Sequence, residues 1–147
     1  MENNLLLYYT DTSRESAKII TRQSQNVLDK KSTSIEAMHQ LKQQSLRMKE
    51  ALLKGRLNEI GEILDFGFQQ KRRMADGISN DRLEEIYMAA KSAGATGGKI
   101  SGAGGGGFMI FYCPGNTKFE VMAKLSEFGG HCKSYQFVDH GLTTWTI

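Results

Sequence analysis

The sequence predicts an α+β domain, and three observations carry that prediction. Four stretches between Thr12 and Gly94 place apolar residues at helical spacing, one after another without a strand between them. Two short, bulky runs, Leu5–Tyr9 and Phe108–Tyr112, flank that block and read as strands. After Gly94 the period changes and turn residues crowd in, so strands at the two ends of the chain have to meet in one sheet. At 147 residues the chain has one domain's worth of length and buries roughly 68–70% of its unfolded surface, enough for a core without staples.

Each element has a local reason. Leu5–Tyr9 lies between Asn3-Asn4 and Thr10-Asp11-Thr12, which bound a strand and turn the chain out of it. Thr12-Ser13-Arg14-Glu15 spells a capping box and opens a helix that runs to about Asp29. A second box, Thr33-Ser34-Ile35-Glu36, opens the next, whose face is Ile35, Met38, Leu41, Met48 and Leu52 and whose left-handed end is Gly55. Leu57, Ile60, Leu64 and Phe68 mark a third helix closing on Lys71-Arg72-Arg73. Ser79 or Asn80 caps a fourth, carrying Leu83, Ile86, Tyr87 and Ala90 up to Gly94. Phe119, Met122, Ala123 and Leu125 suggest a short helix ending at Gly129-Gly130, and Ser134–Val138 and Thr143–Ile147 look like two closing strands. Met38, Met48, Met74 and Met88 read as core filler.

Composition removes several function classes. Hydrophobic residues are 39% and charged residues 24% of the chain, a folded rather than a disordered balance. A formal charge of +3 with no interleaving of basic and aromatic residues argues against a nucleic-acid groove. The opening MENNLLLYYTD has neither a basic region nor a long apolar segment, so no membrane span or signal peptide is expected and the cytoplasm is the expected compartment. Cys113 sits on an apolar run as a reduced thiol would, and Cys113, His131, Cys132 and His140 fit no common zinc spacing. His39, His131 and His140 match no catalytic spacing.

The most informative stretch is KISGAGGGGFMIFYC, Lys99–Cys113. Gly102, Gly104 and Gly107 formally spell G-x-G-x-x-G, but a dinucleotide site needs a helix after that string and here a strand follows. No G-K-[ST] ends the run, and the other protein-kinase motifs are missing. What survives is a loop without Cβ atoms, able to approach a ligand closely and aim several N–H groups at one anion. Lys99 adds a positive charge and Ser101 a hydroxyl beside it. A glycine bulge that only lets a helix pack tightly on the sheet is the plainer alternative.

KISGAGGGGF also resembles the third conserved motif of the galactokinase–homoserine kinase–mevalonate kinase–phosphomevalonate kinase (GHMP) superfamily, K-x-[ST]-G-A-G-x-G-G. The segments YYTDTSRESAKII, MHQLKQQSLRMKEALLKGRL and GISNDRLEEIYMAAKSAGATGGKISGAGGGGFMIFYCP are similar to the carboxy-terminal half of that superfamily's heptose-phosphate and fucose kinases. The resemblance implies a ferredoxin-like domain, residues 1–147, with an antiparallel sheet of about four strands and helices largely on one face. It implies transfer of a phosphoryl group from ATP, with Mg, to a phosphorylated sugar, giving a heptose 1,7-bisphosphate on the route to GDP-heptose for surface polysaccharides. The family's amino-terminal string P-x3-G-L-G-S-S-A-A does not occur here. The chain therefore reads as the second kinase half, whose partners are an amino-terminal ATP-binding domain, the sugar, and a second copy through the bared inter-domain face. A non-catalytic ligand-binding or regulatory domain of the same fold is the rival.

The resemblance puts Gly102, Ala103, Gly104, Gly105 and Gly106 on the wall of the active-site cleft, with Lys99 and Ser101 steadying the loop or touching substrate. Arg14, in the first turn of a helix where a cation is disfavoured, is a candidate for gripping the sugar's existing phosphate. Lys71, Arg72 and Arg73 have a simpler explanation as cations in a last helical turn. Ser79 and Asn80 cap a helix, and the loop Gly77–Asp81 could also border the sugar. No residue of the chain is assigned the catalytic acid or base.

Overall fold

Strand β1, Leu5–Tyr9, is followed by four helices, α1 (Ser16–Leu28), α2 (Ser32–Leu53), α3 (Glu59–Arg72) and α4 (Asp81–Ser92). Strands β2 (Gly97–Ile100) and β3 (Phe108–Tyr112), helix α5 (Lys118–Ser126) and strand β4 (His131–Lys133) complete the order. The structure is a computed structural model and describes residues 1–12 and 16–145. The strands form one antiparallel sheet in the order β2-β3-β1-β4. The α+β class and the four-stranded sheet are therefore as the sequence predicts.

Alternation along the strands decides what each face of the sheet meets. Leu6, Tyr8, Ile100, Met109 and Phe111 share one face and join Leu83, Ile86, Tyr87 and Ala90 of α4 and Val121 and Leu125 of α5 in the main core. Helix α3 lies along β2 and reaches the other face, where Ile60 and Leu64 pack on Tyr112 and Leu5. The helices are thus not confined to one side. That crossing is close: a Cβ on Gly97 would stand 2.0 Å from the Gly61 carbonyl oxygen, so the strand and helix backbones touch here.

Three expectations need correction. No strand forms at Ser134–Val138; the fourth strand is His131–Lys133, paired with Tyr9–Leu7. Upstream of Leu5 the chain coils into a 3-10 turn, Glu2–Asn4, so β1 offers no extended partner to residues after Tyr135, which stands opposite Leu5 in this register. The Tyr135 hydroxyl on the Glu2 and Leu5 carbonyls and the Phe137 amide on Glu2 tie the following segment down instead. Nor are residues 143–145 a strand, and Trp145 is 80% exposed; Thr146 and Ile147 lie outside the described residues.

The second correction concerns α2, which starts at Ser32 after Lys31 with no side-chain cap, so the Thr33–Glu36 box is not used. Its inward face is Ser34, Ala37, Leu41, Gln44, Met48 and Ala51, not the purely apolar stripe. The polar members are satisfied: Ser34 Oγ donates to the Met74 carbonyl at 2.9 Å and Gln44 Nε2 to the Ile63 carbonyl at 2.9 Å. Third, Met38 and Met88 are exposed rather than core. Gly55 does end α2 in the left-handed region (φ 68), and Asn80, not Ser79, caps α4 by accepting from the Leu83 amide at 3.1 Å. The first capping box falls largely outside the described residues.

One polar network ties α3 to α4. Asp65 of α3 accepts from the Tyr87 hydroxyl, from Gln69 Nε2 at 2.6 Å and from Lys91 Nζ at 3.0 Å. Burial alone would raise the Asp65 carboxyl. The hydrogen bonds from Tyr87 and Lys91 and the charge of Lys91 outweigh it and hold the group below its ordinary 3.8. Tyr87 is itself buried between Phe68 and Phe111. Removing its hydroxyl in Tyr87→Phe strips one charge-assisted bond from a half-buried carboxylate, and chemical unfolding should read a loss of about 1–2 kcal/mol. Because the folded carboxyl is the stronger acid, its stabilisation is complete above the unfolded value and fades as pH falls through the folded one. Asp65→Asn should accordingly flatten the stability curve below about pH 4, measured as unfolding free energy against pH.

Candidate functional site

The loop Ser101–Gly107 leaves β2 and returns as β3, so its ends are fixed by the ladder while its middle stands off the sheet. Four other parts of the fold hold that middle. The Gly105 amide donates to the Ile78 carbonyl at 2.8 Å, from the segment before α4. At the end of β1, the Gly107 amide donates to the Thr12 carbonyl at 2.8 Å, and Thr10 returns both its amide and its hydroxyl to the Gly107 carbonyl at 2.9 Å. Gln23 of α1 donates to the Ala103 carbonyl at 3.4 Å, and Lys71 from the last turn of α3 donates to the Gly102 carbonyl. Ala103 also packs beside Ile19, Ala75 and Ile78.

These contacts use only some of the peptide groups of the loop. The amides of Ser101, Gly105 and Gly107 are spent within the protein. Among the described residues, those of Gly102, Ala103, Gly104 and Gly106 have no acceptor. Four N–H donors thus sit on a backbone that cannot drift, while several of its carbonyls are drawn to other partners. Glycine is required for the fit as well as for the donors. Gly104 holds φ 117, and a Cβ there would stand 2.7 Å from the Ile78 carbonyl oxygen; Gly106 holds φ 146 with Thr12 equally close, at 2.6 Å. Tight packing and donor presentation, set out as alternatives from sequence, occur in the same loop.

The sequence-predicted residues are mostly gathered here. Lys99 lies in β2 opposite Ile110, half-buried, two residues before the loop. Ser101 begins the loop and is exposed, as is Gly102; Ala103 and Gly106 are half-buried, and Gly104 and Gly105 are buried. Arg14 lies outside the described residues. Cys113 is buried below the far end of β3, and burial pushes its thiol up to about 11, so it stays a protonated, inert group.

Of three further residues near the loop, the sequence reads Lys71 as a last-turn cation and Ser79 as a cap in a segment that could border the sugar, and it gives no signal for Gln23. Lys71, Arg72 and Arg73 part company: Arg72 pairs with Glu84 at 2.5 Å over the Phe68 ring, Arg73 turns to Gln70, and only Lys71 reaches the loop. Burial and then the nearby Lys99 charge push the Lys71 ammonium below the usual lysine range. The Ser79 hydroxyl, next to Ile78, is shielded from solvent without a hydrogen-bond partner. Gln23 had no signal at all in a helix read for its apolar spacing.

Comparison with known proteins places this geometry. The family model for the GHMP kinase carboxy-terminal domain matches residues 48–131, more than half of the chain. A D-glycero-alpha-D-manno-heptose 7-phosphate kinase of Campylobacter jejuni is 35% identical over 147 residues, all of this chain but 43% of its own length. The crystal structure of a D-glycero-D-manno-heptose 1-phosphate kinase from Bacteroides thetaiotaomicron superposes with a TM-score of 0.64 at 31% identity, over 99% of this chain and 36% of that one. Mevalonate kinase of Leishmania major shares the fold, with a TM-score of 0.76 at 22% identity, over 84% of this chain and 37% of that one. The chain spans less than half the length of these relatives. With its glycine loop, its sheet and its whole length matched to such kinases, the chain belongs to the GHMP kinase family, as a carboxy-terminal domain.

Proposed function

We propose that the chain is the carboxy-terminal domain of an ATP-dependent sugar kinase, with a heptose phosphate as its acceptor. The observation that carries this reading is the set of four unspent amides, Gly102, Ala103, Gly104 and Gly106, on a loop clamped from four sides. In phosphoryl transfer the protein mainly positions groups and neutralises charge spread over the equatorial oxygens. Donors that are already fixed meet that charge without reorganising at the moment of reaction. Lys99 adds a positive charge from β2, two residues before the loop.

The heptose assignment rests on the similarity to the Campylobacter kinase and its full coverage of this chain. In this reading the C1 hydroxyl attacks the γ-phosphorus, the bond from that phosphorus to the β–γ bridging oxygen breaks, and ADP leaves. The hydroxyl proton passes to a base in an amino-terminal half. The family resemblance assigns the Mg expected with ATP mainly to that half too. No described helix is long and apolar enough to cross a membrane.

Two outcomes test this. The 147-residue chain alone should show no measurable sugar-dependent ATP turnover, and robust activity would refute the division of labour. Joined to an amino-terminal GHMP half, it should prefer a phosphorylated heptose in a substrate panel. There Gly104→Val, which displaces the loop from Ile78, should cut kcat/KM by about 10²–10³ while circular dichroism keeps the helical signal. Full activity in that variant would remove the loop from the chemistry.

A further inference from the structure

Two lysines stand by the same loop with no carboxylate partner among the described residues. Lys71 arrives from the end of α3, and Lys99 lies in β2 two residues before the loop, along the strand on which α3 packs. Among the described residues the Lys71 ammonium donates only to the Gly102 carbonyl, and Lys99 stands close enough for its charge to act on it. Among the described residues no carboxylate pairs with either, although Arg72, the very next residue, has Glu84. Half-buried cations set together cost free energy unless an anion joins them. The carbonyl that anchors the Lys71 ammonium belongs to the same short loop whose Gly102, Ala103, Gly104 and Gly106 amides have no acceptor among the described residues, so neutral donors and a cation share one loop.

We propose that Lys71 and Lys99 form, with the free amides of the loop, the seat of a phosphate monoester dianion. This rests on the kinase reading and deepens it by naming a cation that the sequence motif does not contain. Two sources carry that chemistry: the phosphate already on the sugar, and the terminal phosphoryl of the nucleotide. An ammonium is a mobile point charge on a long stem, so Lys71 can leave the Gly102 carbonyl for a phosphate oxygen without moving α3. In the free protein the carbonyl serves as its resting partner, which keeps the side chain beside the loop.

The test is nuclear magnetic resonance of the 147-residue chain, following lysine side-chain and glycine amide signals. Inorganic phosphate and heptose 7-phosphate should shift both lysine signals saturably, and unphosphorylated heptose should not. Lys71→Met should weaken phosphate binding about tenfold, and Lys71→Arg should stay within about threefold because the charge remains. Saturation by the sugar phosphate but not by a non-hydrolysable ATP analogue assigns the seat to the acceptor's phosphate. The reverse assigns it to the transferred group, and either supports the seat. Should Lys71→Met fail to fold, Lys99→Met reads the same seat from the other side. A folded Lys71→Met that binds phosphate as tightly as the parent overturns the lysine pair. If the Gly102–Gly106 amides still respond in that variant, the loop reading survives; if no probe moves them in the parent chain, both readings fall.

Discussion

Where the Gly105 amide meets the Ile78 carbonyl, the segment before α4 comes so near the loop that Gly104 has no room for a Cβ. Much of the site follows from that contact. A seven-residue loop between paired strands leaves its peptide groups outside the ladder, and buried ones have to find partners. Here Ile78, Thr10, Thr12, Gln23 and Lys71 take some of them, and the amides of Gly102, Ala103, Gly104 and Gly106 are among those left over. The donors available to an anion are thus what the structural hydrogen bonding of the loop leaves unspent.

Helix α3 connects the core to this loop. Gly61 lets its backbone rest on Gly97 of β2, and Asp65 locks it to Tyr87 of α4. With the middle of the helix fixed against strand and neighbour, its last turn is delivered to the loop, and Lys71 is the residue whose helical phase faces it. Arg72 and Arg73, one and two steps on, are carried to other partners. The same close packing that stabilises the domain therefore sets where one charge stands.

The relatives that match this chain extend well beyond it. In the function proposed above, fixed amides and cations are contributed from one rigid side, nucleotide and base from another, and water leaves only when the two meet.

The sequence by itself determined the class and the loop. Turn residues, apolar periods and the position of the glycines before a bulky strand fixed both in the chain's own order, because these are local properties of backbone and side chain. It was less reliable where burial and periodicity separate, as on α2, where Ser34 and Gln44 face inward because carbonyls of other segments receive them. Strand pairing at the carboxy-terminal end depended on β1, more than a hundred residues away, where Leu7–Tyr9 take His131–Lys133 as partner. Likewise the choice among three adjacent cations was made by which of them the last turn of α3 turns toward the loop. Tertiary structure decided these things because each depends on a partner brought close only by folding.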